Sequence, residues 1–128
     1  MILALGALLG LISVAFGAYA EHGLKEIVSE EYFRYLMTAV RYNQINSVLI
    51  SSIGLSIIVS PKLADSLALK ASSLLFITGT VLFSFGIYTS VTFSVPILLN
   101  VTPVGGIILM LAWLLLIVTG IRFMKHSK

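Results

Sequence analysis

Apolar residues dominate long runs of this chain, with few of the polar interruptions that mark a soluble helix or strand. Crossing the hydrocarbon of a bilayer takes about 20 predominantly apolar residues in an α-helix. Four stretches meet that length: 2 to about 20, about 35–60, about 71–93, and 104 to about 124. The pattern predicts an all-α fold, a transmembrane four-helix bundle in one integral membrane domain over 1–128. A helix keeps every backbone group bonded within itself, which hydrocarbon requires. The first stretch also resembles a secretory leader, because Ala18-Tyr19-Ala20 has small residues at cleavage spacing. No Lys or Arg precedes it and the apolar run is long, so a retained helix is expected.

The connections differ from one another. Residues 21–34 form the one strongly charged segment, and Ile27, Val28, Tyr32, Phe33 and Leu36 recur within and just beyond it at near-helical spacing. That predicts a short amphipathic interfacial segment between spans 1 and 2, open to being continuous with the second. Pro61 ends the second span, and Asp65 or Ser66 is placed to cap the third helix. Residues 94–103 hold two prolines yet stay apolar, as expected of a loop that dips into the interface.

Composition fits the same picture. The chain is 59% hydrophobic and 10% charged, against roughly 25% charged for a soluble domain. Its net charge of +3 gathers at span ends rather than in a stripe interleaved with stacking aromatics, so nucleic acid is not an expected partner. Lys62, Lys70, Arg122, Lys125 and Lys128 share a side with the N-terminus. On the other side Lys25, Arg34 and Arg41 are diluted by Glu21, Glu26, Glu30 and Glu31. By the positive-inside rule both termini are expected in the cytoplasm. Cysteine is absent, which excludes disulfides, thiolate catalysis and cysteine-held metal.

Candidate chemistry concentrates in the second span. Arg41 falls at the hydrocarbon boundary, whereas Asn43, Gln44 and Asn46 lie deeper, where polar side chains must face protein or water. Asn43, Ser47, Ser51 and Gly54 share one narrow face. Either it packs against another helix through close approach and interhelical hydrogen bonds, or it lines a polar path. Gly6, Gly10, Ser13 and Gly17 form a small-residue ridge on span 1, and Ser72, Gly79, Gly86 and Ser90 one on span 3. Gly10–Tyr19 (GLISVAFGAY) and Gly79–Tyr88 (GTVLFSFGIY) align at a constant offset that also lays span 4 over span 2. A duplicated hairpin would explain it, as would chance among common residues. Glu21 and His22 end span 1, with Gly23 a natural terminator. Adjacent helical residues point about 100° apart, so the pair needs help to act as acid and base; Glu21 is instead placed to pair with Arg41 or Arg34. His126 is expected in solvent, and Trp113, deep in span 4, against another helix. No catalytic set, metal cluster or phosphate-cradling loop is present, and no cofactor is expected.

Three stretches, in order, resemble a known family. Gly17-Ala18-Tyr19-Ala20-Glu21-His22-Gly23-Leu24-Lys25 is similar to its Gly-Ala-Phe-Gly-Ala-His-Gly-Leu-Lys signature. Thr38-Ala39-Val40-Arg41-Tyr42 is similar to its Thr-Ala-Val-x-Tyr-Gln motif. Leu82-Phe83-Ser84, Tyr88, Thr102-Pro103-Val104-Gly105-Gly106 and Trp113 resemble its C-terminal half. The family is the YgdD-like group of small four-span membrane proteins, domain of unknown function 423. The resemblance implies four spans and a bacterial inner membrane, without an established activity. Gly105 and Gly106 join the glycines expected to pack helices. Asn43 and Asn46 stand where that pattern usually has Gln and His, so a titrating histidine at that depth is missing.

The leading expectation is a non-enzymatic bundle that binds membrane lipid or a membrane-protein partner, a homo-oligomer included. The alternative is a small transporter or channel along the polar face of span 2, with Glu21 and Arg41 at its mouth. A lipid- or quinone-directed enzyme using Glu21 and His22 comes third.

Overall fold

A computed structural model describes residues 1–126. Lys128, counted above among the basic residues, lies outside the described residues, as does the side chain of His126. Four helices among the described residues are long and apolar enough to cross a membrane: α1 (Ile2–Leu24), α2 (Glu30–Val59), α3 (Leu67–Thr92) and α4 (Thr102–His126). The protein is an all-helical, four-span membrane protein.

The ends of these helices follow from their residues. Ser29 caps α2 by accepting the Tyr32 N–H, and Glu30 and Glu31 sit in the first turn, where carboxylates suit the helix dipole. At 30 residues, α2 is about 45 Å long, more than the roughly 30 Å of hydrocarbon, so its charged first turns stand clear. The segment expected to be amphipathic is divided: residues 21–24 end α1, residues 25–28 turn, and only Glu30–Arg34 is continuous with span 2. Leu36 and Phe33 join the core at that end of the bundle. Ser66, not Asp65, caps α3, its Oγ accepting from Leu69 N at 3.2 Å. Pro61 opens a single helical turn, Pro61–Ala64. The apolar loop winds into a 3-10 helix, Pro96–Val101, that runs straight into α4.

Gly23 does not terminate α1. The last turn, Ala20–Leu24, widens into a π-turn, with Lys25 N donating to the Ala20 carbonyl. Gly23 lies under the Tyr19 ring, where a Cβ would come within 3.0 Å of the ring edge. Its φ is not positive; the chain leaves the helix through the turn at 25–28 instead. A second π-turn, Val81–Phe85, interrupts α3.

α1 packs on α2 and α3 on α4, while α2 and α3 join the two hairpins and are the more buried pair. Close approach occurs at glycines. A Cβ at Gly6 would lie 2.7 Å from Ser51 N, one at Gly54 2.7 Å from Leu3 Cα, and one at Gly105 2.5 Å from Phe83 N. The two hairpins do not share a register. Gly10 meets Ser47, whereas its counterpart Gly79 meets Leu109 rather than Leu116, where the constant offset would put it.

Candidate functional site

The polar residues of α2 and the end of α1 do not gather into one site; the structure distributes them over three places. The first is a sealed cluster between α2 and α3. Asn43 is 0% exposed and its Nδ2 donates to Tyr88 Oη at 3.3 Å. Ser47 Oγ donates back to the Asn43 carbonyl and lies 3.3 Å from Asn43 Oδ1. One turn away, Ser84 Oγ donates to the Ala39 carbonyl at 2.8 Å. Phe16 of α1 stacks on Tyr88 with ring centroids 3.9 Å apart, closing the cluster from the side. Interhelical bonds of this kind average about 0.6 kcal/mol in membranes, and here they fix which faces of α2 and α3 meet.

The second place is a groove of about 380 Å³ between α1 and α2. Glu21, His22, Arg41 and Gln44 line it together with Val14, Gly17 and Val40. Glu21 does not pair with Arg41 or Arg34. Its Oε2 accepts from Lys25 Nζ at 2.9 Å, because four residues of helix bring that ammonium beside it. Lys25 also sits 5.5 Å over the Phe33 ring. The arrangement is amphiphilic: ionic groups and an amide beside an aliphatic wall.

The third place is a groove of about 480 Å³ between α2 and α4, crossed by Phe83 of α3. Asn46 lines it and is 2% exposed. Trp113 packs edge-on against Phe76, with centroids 5.1 Å apart, yet remains 45% exposed and forms part of this groove. Gly106 lines it too, and a Cβ there would meet only Phe83 Cδ2 at 3.9 Å, unlike its neighbour Gly105.

Of the remaining glycines singled out from sequence, a Cβ at Gly17 would lie 3.2 Å from Val40 Cγ1 and one at Gly86 3.3 Å from Thr102 Oγ1, both tighter than ordinary contact. Sequence reasoning missed Tyr88 and Ser84 as members of the cluster. The available signal was a phenol and a hydroxyl in the same apolar span, each of which must find a partner when buried in lipid. Among the described residues no group of His, Asp and Glu is placed to hold a metal ion.

These features define a multi-span helical membrane protein with one closed polar cluster and lateral, membrane-facing grooves. The chain belongs to the family described as Protein of unknown function (DUF423), whose profile matches residues 16–106. It is 32% identical over 119 residues to a UPF0382 membrane protein of Staphylococcus haemolyticus, covering 93% of each chain. It is 27% identical over 122 residues to the UPF0382 membrane protein YwdK of Bacillus subtilis, covering 94% of this chain and 95% of that one. With the UPF0382 inner membrane protein YgdD of Escherichia coli it shares 29% identity over 121 residues, 94% of this chain and 89% of that one. No solved structure matches.

Proposed function

We propose that this protein is a non-enzymatic bundle that binds bilayer lipid in the grooves between its helices, in a bacterial inner membrane with both termini in the cytoplasm. The observation that carries it is the α1–α2 groove. Arg41 and His22 stand beside Glu21 and Gln44 at one end, and Val14, Gly17 and Val40 supply an aliphatic wall. A zwitterionic phospholipid has the matching layout, with phosphate and ammonium at one end and a chain at the other. Arg41 at the hydrocarbon boundary suits the phosphate as an ionic partner. On the side of the N-terminus, Lys62 and Arg122 flank a second cleft that suits anionic headgroups.

Transport along α2 draws little support from the same geometry, because Asn43 and Ser47 are buried and bonded to Tyr88 and to each other. An enzyme built on Glu21 and His22 draws as little support, since adjacent helical residues point about 100° apart and no third group among the described residues orients the pair. A membrane-protein partner or second copy of the chain is the competing occupant of the grooves.

Native mass spectrometry from a mild detergent tests the proposal. Phospholipid is expected to stay on the wild-type chain and to be reduced by Arg41→Ala combined with Glu21→Gln. Repeated preparations without bound phospholipid would overturn it, and a bound protein in its place would favour the competitor. The cysteine-free chain also permits a direct topology test. Lys62→Cys should react only from the cytoplasmic side and Ser94→Cys only from outside; the reverse labelling would invert the orientation.

A further inference from the structure

Asn46 raises a question that the sealed cluster does not. Its side chain is almost wholly buried, and Nδ2 has no hydrogen-bond partner. An unpaired buried amide carries its full desolvation penalty, and in a bilayer no bulk water is at hand to relieve it. The groove that Asn46 lines has the volume of a ligand site and holds no charged residue; Tyr42, Phe83, Met110 and Trp113 make most of its wall. Ile45, Ile107 and Met110 at its rim are half exposed or more, so it opens sideways toward lipid. Oδ1 of the same amide is not among the enclosed unpartnered atoms; a half-turn about the last side-chain bond of Asn46, which is broad and nearly two-fold, exchanges the two groups and presents the NH2 to this space.

We propose that the α2–α4 groove holds one acyl chain of a bilayer diacyl lipid, whose ester carbonyl accepts a hydrogen bond from the Asn46 amide. The inference rests on the lipid-binding function above and extends it to a second groove and a recognised atom. The ester carbonyls are the first acceptors a chain carries as it enters the apolar region. Asn46 lies five residues, about 7.5 Å of helix, below Arg41, which the sequence places at the hydrocarbon boundary, so the groove draws the ester that far below its usual level. From Pro103 to Trp113 the α4 wall then descends about 15 Å with apolar and aromatic surface for the chain. A neutral lining without a cation selects against the headgroup itself. A helix from a second copy is a poorer occupant, because its backbone carbonyls are already bonded within the helix, whereas an ester carbonyl is a free acceptor.

Trp113 is the one tryptophan of the chain and lines this groove, so its fluorescence reports the occupant. The full chain in mild detergent micelles is titrated with a diacyl phospholipid brominated on its chains, and with the ether-linked analogue carrying the same bromines. Half-quenching of Trp113 is expected at about fivefold lower mole fraction of the ester lipid, the worth of one net hydrogen bond. Asn46→Leu should erase that preference. Gly106→Leu, at a position where the first side-chain atom meets no backbone, should fill the groove and weaken quenching by both lipids. It serves as an independent variant should Asn46→Leu fail to fold.

Equal quenching of the wild type by ester and ether lipids overturns the inference, as does an ester preference that persists in Asn46→Leu. Trp113 shielded by dimerisation, with lipid excluded, overturns it as well. Phospholipid retained in native mass spectra without any ester preference at Trp113 sinks this inference alone. Loss of both signals sinks the lipid-binding function with it.

Discussion

The side of α2 that meets α3 and the side that faces α4 begin one helical turn apart and treat the same amide differently. Asn43 is enclosed, donates to Tyr88 and receives Ser47. Asn46, equally hidden from solvent, keeps an unbonded Nδ2 at the edge of a groove. Because lipid offers little hydrophobic drive for helix association, small residues and interhelical hydrogen bonds decide which faces meet. The sealed side has both: Ser84 and Ala39 are small, and the Ser84 hydroxyl bonds the Ala39 carbonyl. Gly105 in the same way brings α4 onto the Phe83 backbone of α3. The open side has aromatic and aliphatic walls with Gly106 leaving space. Burial alone therefore does not mark a residue as structural in this protein; the presence of a partner does.

Adjacent glycines give the sharpest way to break that distinction. Gly105→Ala puts a methyl 2.5 Å from Phe83 N and 2.9 Å from its Cα, backbone atoms that cannot swing aside. The expected loss is about 1–3 kcal/mol, read as a fall in the detergent melting temperature. Gly106→Ala adds its methyl to open space and should stay within about 0.5 kcal/mol of wild type. Equal losses from both would mean that the groove is as tightly packed as the α3–α4 contact.

The two asparagines come next. Asn43→Leu strands the buried Tyr88 hydroxyl and removes the side-chain contact of Ser47, for an expected loss of about 1–2 kcal/mol. Asn46→Leu removes an amide that has no partner and should melt at or above the wild-type temperature in lipid-free detergent. The comparison fails if Asn46→Leu is the more damaging of the two. Tyr88→Phe leaves the buried Asn43 amide without its acceptor while keeping the stack on Phe16, so it should cost about as much as Asn43→Leu, about 1–2 kcal/mol.

The four spans were legible because bilayer thickness sets a length that 2–20, 35–60, 71–93 and 104–124 each approach, and apolar runs of that length have few other uses. The stop at Pro61 and a cap at Asp65 or Ser66 were legible for local steric and hydrogen-bonding reasons, and the structure chooses Ser66. Gly23 misled because glycine permits a left-handed terminus without requiring one, and here its missing Cβ serves the Tyr19 ring instead. The candidate site was only half legible. Sequence singled out Asn43, Gln44, Asn46 and Ser47 together, since all are polar within two turns of one apolar helix. Their separation into a closed cluster and two grooves depends on which neighbour each meets. That is set by the heights at which α3 and α4 pass, fixed by Gly79, Gly105 and Ser84 far along the chain. A periodicity within α2 contains no such information.

The smallest expected effect belongs to the Lys25–Glu21 pair, which tests the comparison from outside the hydrocarbon. The bridge is short at 2.9 Å, but its side chains are 56% and 41% exposed, so water and salt screen it. Exposed i,i+4 pairs contribute about 0.3–0.5 kcal/mol. Lys25→Met keeps most of the aliphatic stem over Phe33 and removes the charge, and the melting temperature should move by no more than that small amount. Raising salt from 0.05 to about 0.5 M, which shortens the screening length severalfold, should shrink even this difference. A loss from Lys25→Met larger than that from Asn43→Leu, and insensitive to salt, would show that the turn at 25–28 anchors α1 to α2 more firmly than the buried cluster anchors α2 to α3. The ranking of sealed over exposed polar contacts would then be wrong for this bundle.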